Sequence, residues 1–161
     1  MHPEDHNNPA QTLTGKAADR TPLPETLGYL LAHVCKLHRQ RAETLLNEIG
    51  LHAGQEMVLT GLWEHEGMTQ TELAERVMIR PATVTSMLQR LERAGLVERK
   101  TDTKDQRISR VYSTEKGRNM EKAVQDMWRI LEKESFGCLS TDEQLLLRQL
   151  LAKVFQNLSG E

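Results

Sequence analysis

Thr83, Thr85, Ser86 and Gln89 crowd one short stretch, with Arg80 just before them and Arg90 just after. Small hydroxyls and a carboxamide are the side chains that read base edges. Glutamine can bond adenine through two atoms, and serine or threonine can donate to several acceptors or touch a thymine methyl. Arg80, Thr71, Thr83 and Arg90 suit phosphates, where charge counts and sequence does not. A second group, Lys104, Asp105 and Arg107, lies in the wholly polar run from Asp102 to Arg107. An arginine there can enter an A·T-rich minor groove, whose narrowness concentrates negative potential. A carboxylate two residues away can pair with its guanidinium and hold its direction. Taken singly, these residues also fit a solvated helix face and a salt-bridged surface turn.

Their positions matter only if the chain holds them on a suitable scaffold. Thr69 and Glu72 are spaced as a capping box, with Met68 and Leu73 as its hydrophobic staple, so a short helix over Thr69–Val77 is expected. Met78-Ile79-Arg80 is the turn. Pro81, suited to a first helical position, opens a second helix to about Ala94, and Gly95 closes it. Val84, Met87, Leu88 and Leu91 make its apolar face. Ala82, Ser86, Gln89 and Arg93 lie opposite, with Thr85 and Arg90 at the edges. Leu96–Thr101 and Ile108–Ser113 read as a β-hairpin around the polar tip.

Helices flank this middle. One runs from Pro24 to a Gly50 cap, with Leu27, Leu30, Leu31, Val34, Leu37, Leu45 and Leu46 at helical spacing. A second runs from Ala53 to about Glu66. Downstream, Thr114 caps a long helix to about Phe136. Ser140 and Glu143 form another capping box, ahead of a stripe of Leu147, Leu150, Leu151, Val154, Phe155 and Leu158. The stripes of the outer helices have no obvious partner within so small a module, and pairing with a second copy is the economical solution. The expected fold is therefore mainly α: a winged helix-turn-helix with a two-stranded hairpin wing, plus N- and C-terminal helices forming a dimerisation half. The expected organisation is a flexible tail over 1–21 and one domain over 22–158. Within it, dimerisation helices cover about 24–49 and 115–158, and a DNA-binding lobe covers about 53–113.

Composition fits this reading. The net charge of −2 is uneven: Met68–Met120 holds 11 basic and 7 acidic residues, a local +4 that leaves −6 for the rest. A basic middle suits a polyanion partner. No apolar run approaches the ~18 residues of a membrane span, and the N-terminus lacks the pattern of a secretory signal. Cys35 and Cys138 stand far apart and do not read as a disulfide framework, which points to a reducing cytoplasm. No nucleophile–base pair, phosphate-binding glycine loop or metal-ligand cluster stands out. Neither an enzyme nor a cofactor is expected.

The stretch from Leu51 to Met120 closely resembles the MarR family of winged helix-turn-helix transcriptional regulators. The resemblance is carried by Gly50-Leu-His-Ala-Gly-Gln55, Met68-Thr-Gln-Thr-Glu-Leu-Ala-Glu-Arg76, Thr83-Val-Thr-Ser-Met-Leu-Gln-Arg-Leu-Glu92, Gly95-Leu-Val-Glu-Arg99, Asp102-Thr-Lys-Asp-Gln-Arg107 and Thr114-Glu-Lys-Gly-Arg118. It implies a homodimer on double-stranded DNA at a palindromic operator, usually with repression. It also implies release by a small phenolic or aromatic acid, or by cysteine oxidation. The family's minor-groove arginine and its carboxylate fall on Arg107 and Asp105. Three positions depart from the family pattern. His52 replaces a Ser or Thr cap, Met78 replaces a common glycine, and Arg80 replaces a Ser or Asp cap.

An effector cleft of this family would be lined by the first, second and fifth helices. The candidates are Tyr29, His33, His38, Arg39, Met57, Trp63 and Trp128, though Met and Trp at such positions are more often core. Cys35 sits mid-helix in an apolar run, where a cysteine usually serves as a small hydrophobe. Cys35 and His38 lie one turn apart, too few ligands for a tetrahedral metal site. Two alternatives stay open: a redox-sensing regulator acting through Cys35, and a winged-helix module that binds protein instead of DNA.

Overall fold

The computed structural model describes residues 22–160; the expected N-terminal tail lies outside them. The chain divides into two compact units between Val34 and Cys35, within helix α1 (Leu27–Glu48). The N-terminal unit begins with a 3-10 turn over Leu23–Glu25. The α1 start expected near Pro24 falls instead at Leu27. Thr26 sets it, accepting a bond from the Tyr29 backbone N–H at 3.3 Å and donating to the Leu23 carbonyl at 2.8 Å.

The larger unit continues with α2 (Gln55–Glu64), β1 (Met68–Thr69), α3 (Gln70–Arg76), α4 (Pro81–Arg93), β2 (Val97–Thr101), β3 (Ser109–Ser113), α5 (Glu115–Asn119), α6 (Glu121–Phe136) and α7 (Thr141–Ser159). The fold is mainly helical with a small antiparallel sheet in the order β1-β3-β2. The wing is therefore three-stranded. Sequence showed the β2–β3 hairpin, while β1 is two residues long and exists only because Met68 and Thr69 register against Val111 and Arg110.

Local signals act as their chemistry requires. Both capping boxes form, at Thr69/Glu72 and at Ser140/Glu143. Gly95 takes a φ of +71°, and its N–H and that of Leu96 reach back to Glu92 and Leu91 carbonyls at 2.9 Å. The same pair of reverse bonds closes α3, where Met78 and Ile79 donate to Glu75 and Ala74. The residue in the left-handed position there is Met78, at φ +52°. That explains why glycine is favoured at this turn: a side chain in that region costs about 1–2 kcal/mol.

One core joins Leu45, Leu46 and Leu51 to Val58, Leu59 and Leu62 of α2, Leu73 of α3, Val84, Leu88 and Leu91 of α4, Val111 of β3 and Val124, Met127 and Leu131 of α6. The helix expected unbroken from Thr114 to Phe136 is two helices, interrupted at Met120. The cause is the docking of α5 onto the end of α4. A Cβ on Gly117 would lie 2.0 Å from the Leu96 carbonyl oxygen. Thr114 donates its N–H to Leu96 O at 3.1 Å and its hydroxyl to Gly95 O at 2.7 Å, and Lys116 Nζ reaches Ala94 O at 2.8 Å. The carbonyls left open at the end of α4 are thus satisfied from α5. By contrast, α7 contributes no buried residue.

Candidate nucleic-acid interface

The exposed face of α4 carries Ala82, Thr83, Ser86, Gln89, Arg90 and Arg93, while Val84, Leu88 and Leu91 turn inward. The helix is anchored on one side only, so its polar face stands free along its length. Thr85 behaves differently from its neighbours. Its hydroxyl donates to the Pro81 carbonyl at 2.9 Å and accepts from the Gln70 amide, so it bridges α4 to α3. Thr71 of α3 is exposed, as are Arg80 and Thr83 at the start of α4. Arg80 is the N-cap residue and makes no side-chain cap bond, which leaves its guanidinium free of that duty.

The wing has a different centre from the one expected. Asp102 organises the tip: its carboxylate accepts from the Lys104 and Asp105 backbone N–H groups at 2.8 and 3.0 Å, and from the Arg110 guanidinium. The Arg110 bond, with those two N–H bonds behind it, holds Asp102 down to about 2. Arg110 also donates to the Gly67 carbonyl at 2.8 Å and stands 3.8 Å from the Glu72 carboxylate. It ties the wing root to the capping box of α3. Glu72 itself is held below its usual range, chiefly by the Thr69 backbone N–H and then by its hydroxyl.

Asp105 does not hold the Arg107 guanidinium. Its Oδ1 accepts the Arg107 backbone N–H at 2.9 Å, so it shapes the turn and leaves the arginine head in solvent. Lys104, Asp105 and Arg107 are all exposed.

The arginines of this lobe sort into two groups. Arg76, Arg99 and Arg110 pair with Glu64, Glu92 and Asp102 respectively. Among the described residues, Arg80, Arg90, Arg93 and Arg107 pair with no carboxylate. The unpaired cations stand around the polar face of α4 and at the wing tip, where a phosphate backbone would supply the missing charge.

Residues 51–109 match the family profile described as MarR family. The organic hydroperoxide resistance transcriptional regulator of Bacillus subtilis (strain 168) is 33% identical over 107 residues, covering 66% of this chain and 73% of that protein. The protein belongs to the MarR family. The HTH-type transcriptional repressor IacR of Pseudomonas putida is 30% identical over 130 residues, 81% of this chain and 78% of its own. Among solved structures, a mutant of Escherichia coli MarR complexed with operator DNA superposes with a TM-score of 0.73 at 29% identity, covering 80% of this chain and 92% of that one. A MarR-like regulator from Bacillus cereus gives 0.74 at 27% identity, covering 82% of this chain and 95% of that one. As a MarR-family member the protein is a DNA-binding transcriptional regulator and not an enzyme. No described helix is long and apolar enough to cross a membrane.

The effector candidates scatter. Trp63 and Trp128 line one cleft of about 540 Å³ between α2 and α6, with Thr60, Gln125 and Arg129. The Trp63 indole N–H is buried and has no acceptor. His38 lies 6.4 Å from Trp128 and 6.3 Å from Phe136, ring centre to ring centre. The bidentate pairing of Arg41 with Glu134 fastens the same stretch of α1 to α6. Met57 and Arg39 are exposed and do not line the cleft. Tyr29 and His33 belong to the N-terminal unit, their rings 4.5 Å apart. Cys35 is exposed and not the buried hydrophobe expected. Thr60 and Gln125 escaped the sequence reading, yet each precedes a cleft tryptophan by three residues, one helical turn away.

Proposed function

We propose that this MarR-family protein is a homodimeric repressor that binds a palindromic operator and is released by a small aromatic or phenolic acid. The observation that carries the DNA reading is the set of unpaired arginines, Arg80, Arg90, Arg93 and Arg107, around an exposed face of small polar side chains. Ser86 and Gln89 face base edges, Thr71, Thr83, Arg80 and Arg90 face phosphates, and Arg107 enters the minor groove with Lys104 beside it. Asp105 sets the turn that presents Arg107, and Thr85 braces α4 against α3. The E. coli relative complexed with operator DNA supports this assignment, and the repressor from P. putida supports the direction of control.

The exposed stripe of α7 supplies a seam for the dimer. The α2–α6 cleft takes the effector: its two tryptophans flank an aromatic ring. The test is a fluorescence-anisotropy titration on the DNA upstream of the protein's own gene, at two salt concentrations. Tight binding that weakens steeply with salt is the expected result. Absence of binding there, and to every duplex of a random-sequence selection, would overturn the reading in favour of a protein-binding module.

A further inference from the structure

We propose that the groove between the end of α1 and the last turn of α4 holds a phosphodiester of the DNA backbone, through His52, Arg90 and Arg93. The inference rests on the DNA-binding reading and extends it from Arg90, already assigned to phosphate, to Arg93, His52 and the groove that they line together. The groove encloses about 400 Å³ and is lined by Gly50, His52 and Gln55 on one side and by Arg90, Arg93 and Leu96 on the other. No carboxylate lines it.

Three features make the groove an anion site. Among the described residues Arg90 pairs with no carboxylate, and Arg93 Nε donates only to the Gln89 carbonyl, at 3.2 Å. Two guanidiniums therefore share one groove with no counter-charge from the chain. Second, the Gln55 side-chain oxygen is already taken by the His52 backbone N–H at 2.8 Å. That bond holds the loop in place and leaves the amide N–H₂ of Gln55, so the groove presents donors. Third, Arg90 and Arg93 lie four residues beyond Ser86 and Gln89, on the same face of α4. A strand whose bases meet Ser86 and Gln89 carries its backbone past this groove. Planar guanidiniums match the two free oxygens of a phosphodiester. His52, where the family pattern has a Ser or Thr cap, adds a further donor.

The test uses the full-length protein and two fluorescein-labelled duplexes, one selected by the wild type from a random library and one with that sequence scrambled. Anisotropy titrations are run at several KCl concentrations. Arg93→Gln should weaken binding to both duplexes by the same factor, about tenfold, and make the salt slope shallower by about one for each protomer bound. Arg90→Gln should do the same, and Arg93→Lys should restore most of the slope. His52→Gln should cost less, and again equally on both duplexes. An unchanged salt slope in both glutamine variants overturns the proposal, as does a loss confined to the selected duplex, which would mark a base contact. Failure of the wild type to bind either duplex is a separate result that removes the DNA reading itself.

Discussion

The exposed stripe of α7 makes the proposed dimer testable through Leu151→Asp. Leu145, Leu146, Leu150, Leu151, Val154, Phe155 and Leu158 are each between 43% and 77% exposed in the single chain. Few monomers leave so continuous an apolar strip in water. Leu151 is 43% exposed, so covering that remainder recovers about 1 kcal/mol of the roughly 1.5–3 kcal/mol that a fully buried leucine contributes. An aspartate there forfeits this and adds the cost of desolvating a polar group without a partner, about 1–3 kcal/mol from mutational data. A two-fold seam counts the change twice. The total is at least about 4 kcal/mol, which weakens dimerisation about a thousandfold. Sedimentation velocity from about 0.1 to 50 μM reads this directly: the wild type sediments as a dimer and the variant as a folded monomer. Operator affinity should fall in parallel, because half-site spacing depends on the dimer. A variant that stays dimeric across that range would place the seam elsewhere, and a monomeric wild type would refute the reasoning as a whole.

Arg107→Ala should weaken operator binding by about 1–3 kcal/mol, measured by anisotropy, because its unpaired head is the wing's only arginine beyond the strands; unchanged affinity would remove it from the interface. Asp102, held at about 2 against an ordinary 3.8, stabilises the folded wing fully above its ordinary value. That contribution is lost as pH falls through the folded one, so the wing amides should shift in NMR spectra between about pH 4 and pH 2, and Asp102→Asn should abolish the transition. Met78→Gly should raise the melting temperature by about 2 °C, since it relieves a left-handed side chain that makes little use of burial and loses only part of the gain to chain entropy. A lower melting temperature would mean that the Met78 side chain stabilises the turn by more than its backbone costs.

What the sequence displayed was the chemistry of near neighbours. Thr69 with Glu72, Ser140 with Glu143, Pro81 and Gly95 each act within a few residues, and each appears in the structure as the spacing required. What it concealed depends on residues that meet across the fold. Strand β1 exists because Met68 and Thr69 find β3, and no propensity marks two residues as a strand. The break at Met120 follows from the close approach of Gly117 to Leu96, which a helical pattern cannot display. At the wing, Asp105 and Arg107 looked like a pair by spacing, yet the carboxylate bonds a backbone N–H and Asp102 takes the organising role through Arg110. The α2–α6 cleft was half legible: Trp63 and Trp128 stood out by type, and Thr60 and Gln125 did not. Thr85 looked like a base reader by its place beside Ser86 and Gln89, and only the placement of Gln70 shows where its hydroxyl goes.

The proposed effector cleft and α4 are joined through α5. Helix α6 forms one wall of the cleft, and α5 precedes it with only Met120 between. Thr114 and Lys116 clasp the last carbonyls of α4, Gly117 sits hard against Leu96, and Arg118 donates to the Ser113 carbonyl of β3 at 2.7 Å. A shift of α6 on ligand entry would be passed through these contacts to the end of α4 and the root of the wing. The coupling must be reciprocal in free energy. An aromatic acid that lowers operator affinity about a hundredfold must itself bind about a hundredfold more weakly to the operator-bound protein. Lys116→Ala loosens the clasp without touching the cleft. It should leave effector binding to the free protein unchanged, measured by Trp fluorescence, while shrinking the effector's influence on operator affinity. Equal coupling in wild type and variant would show that the signal reaches α4 by another route.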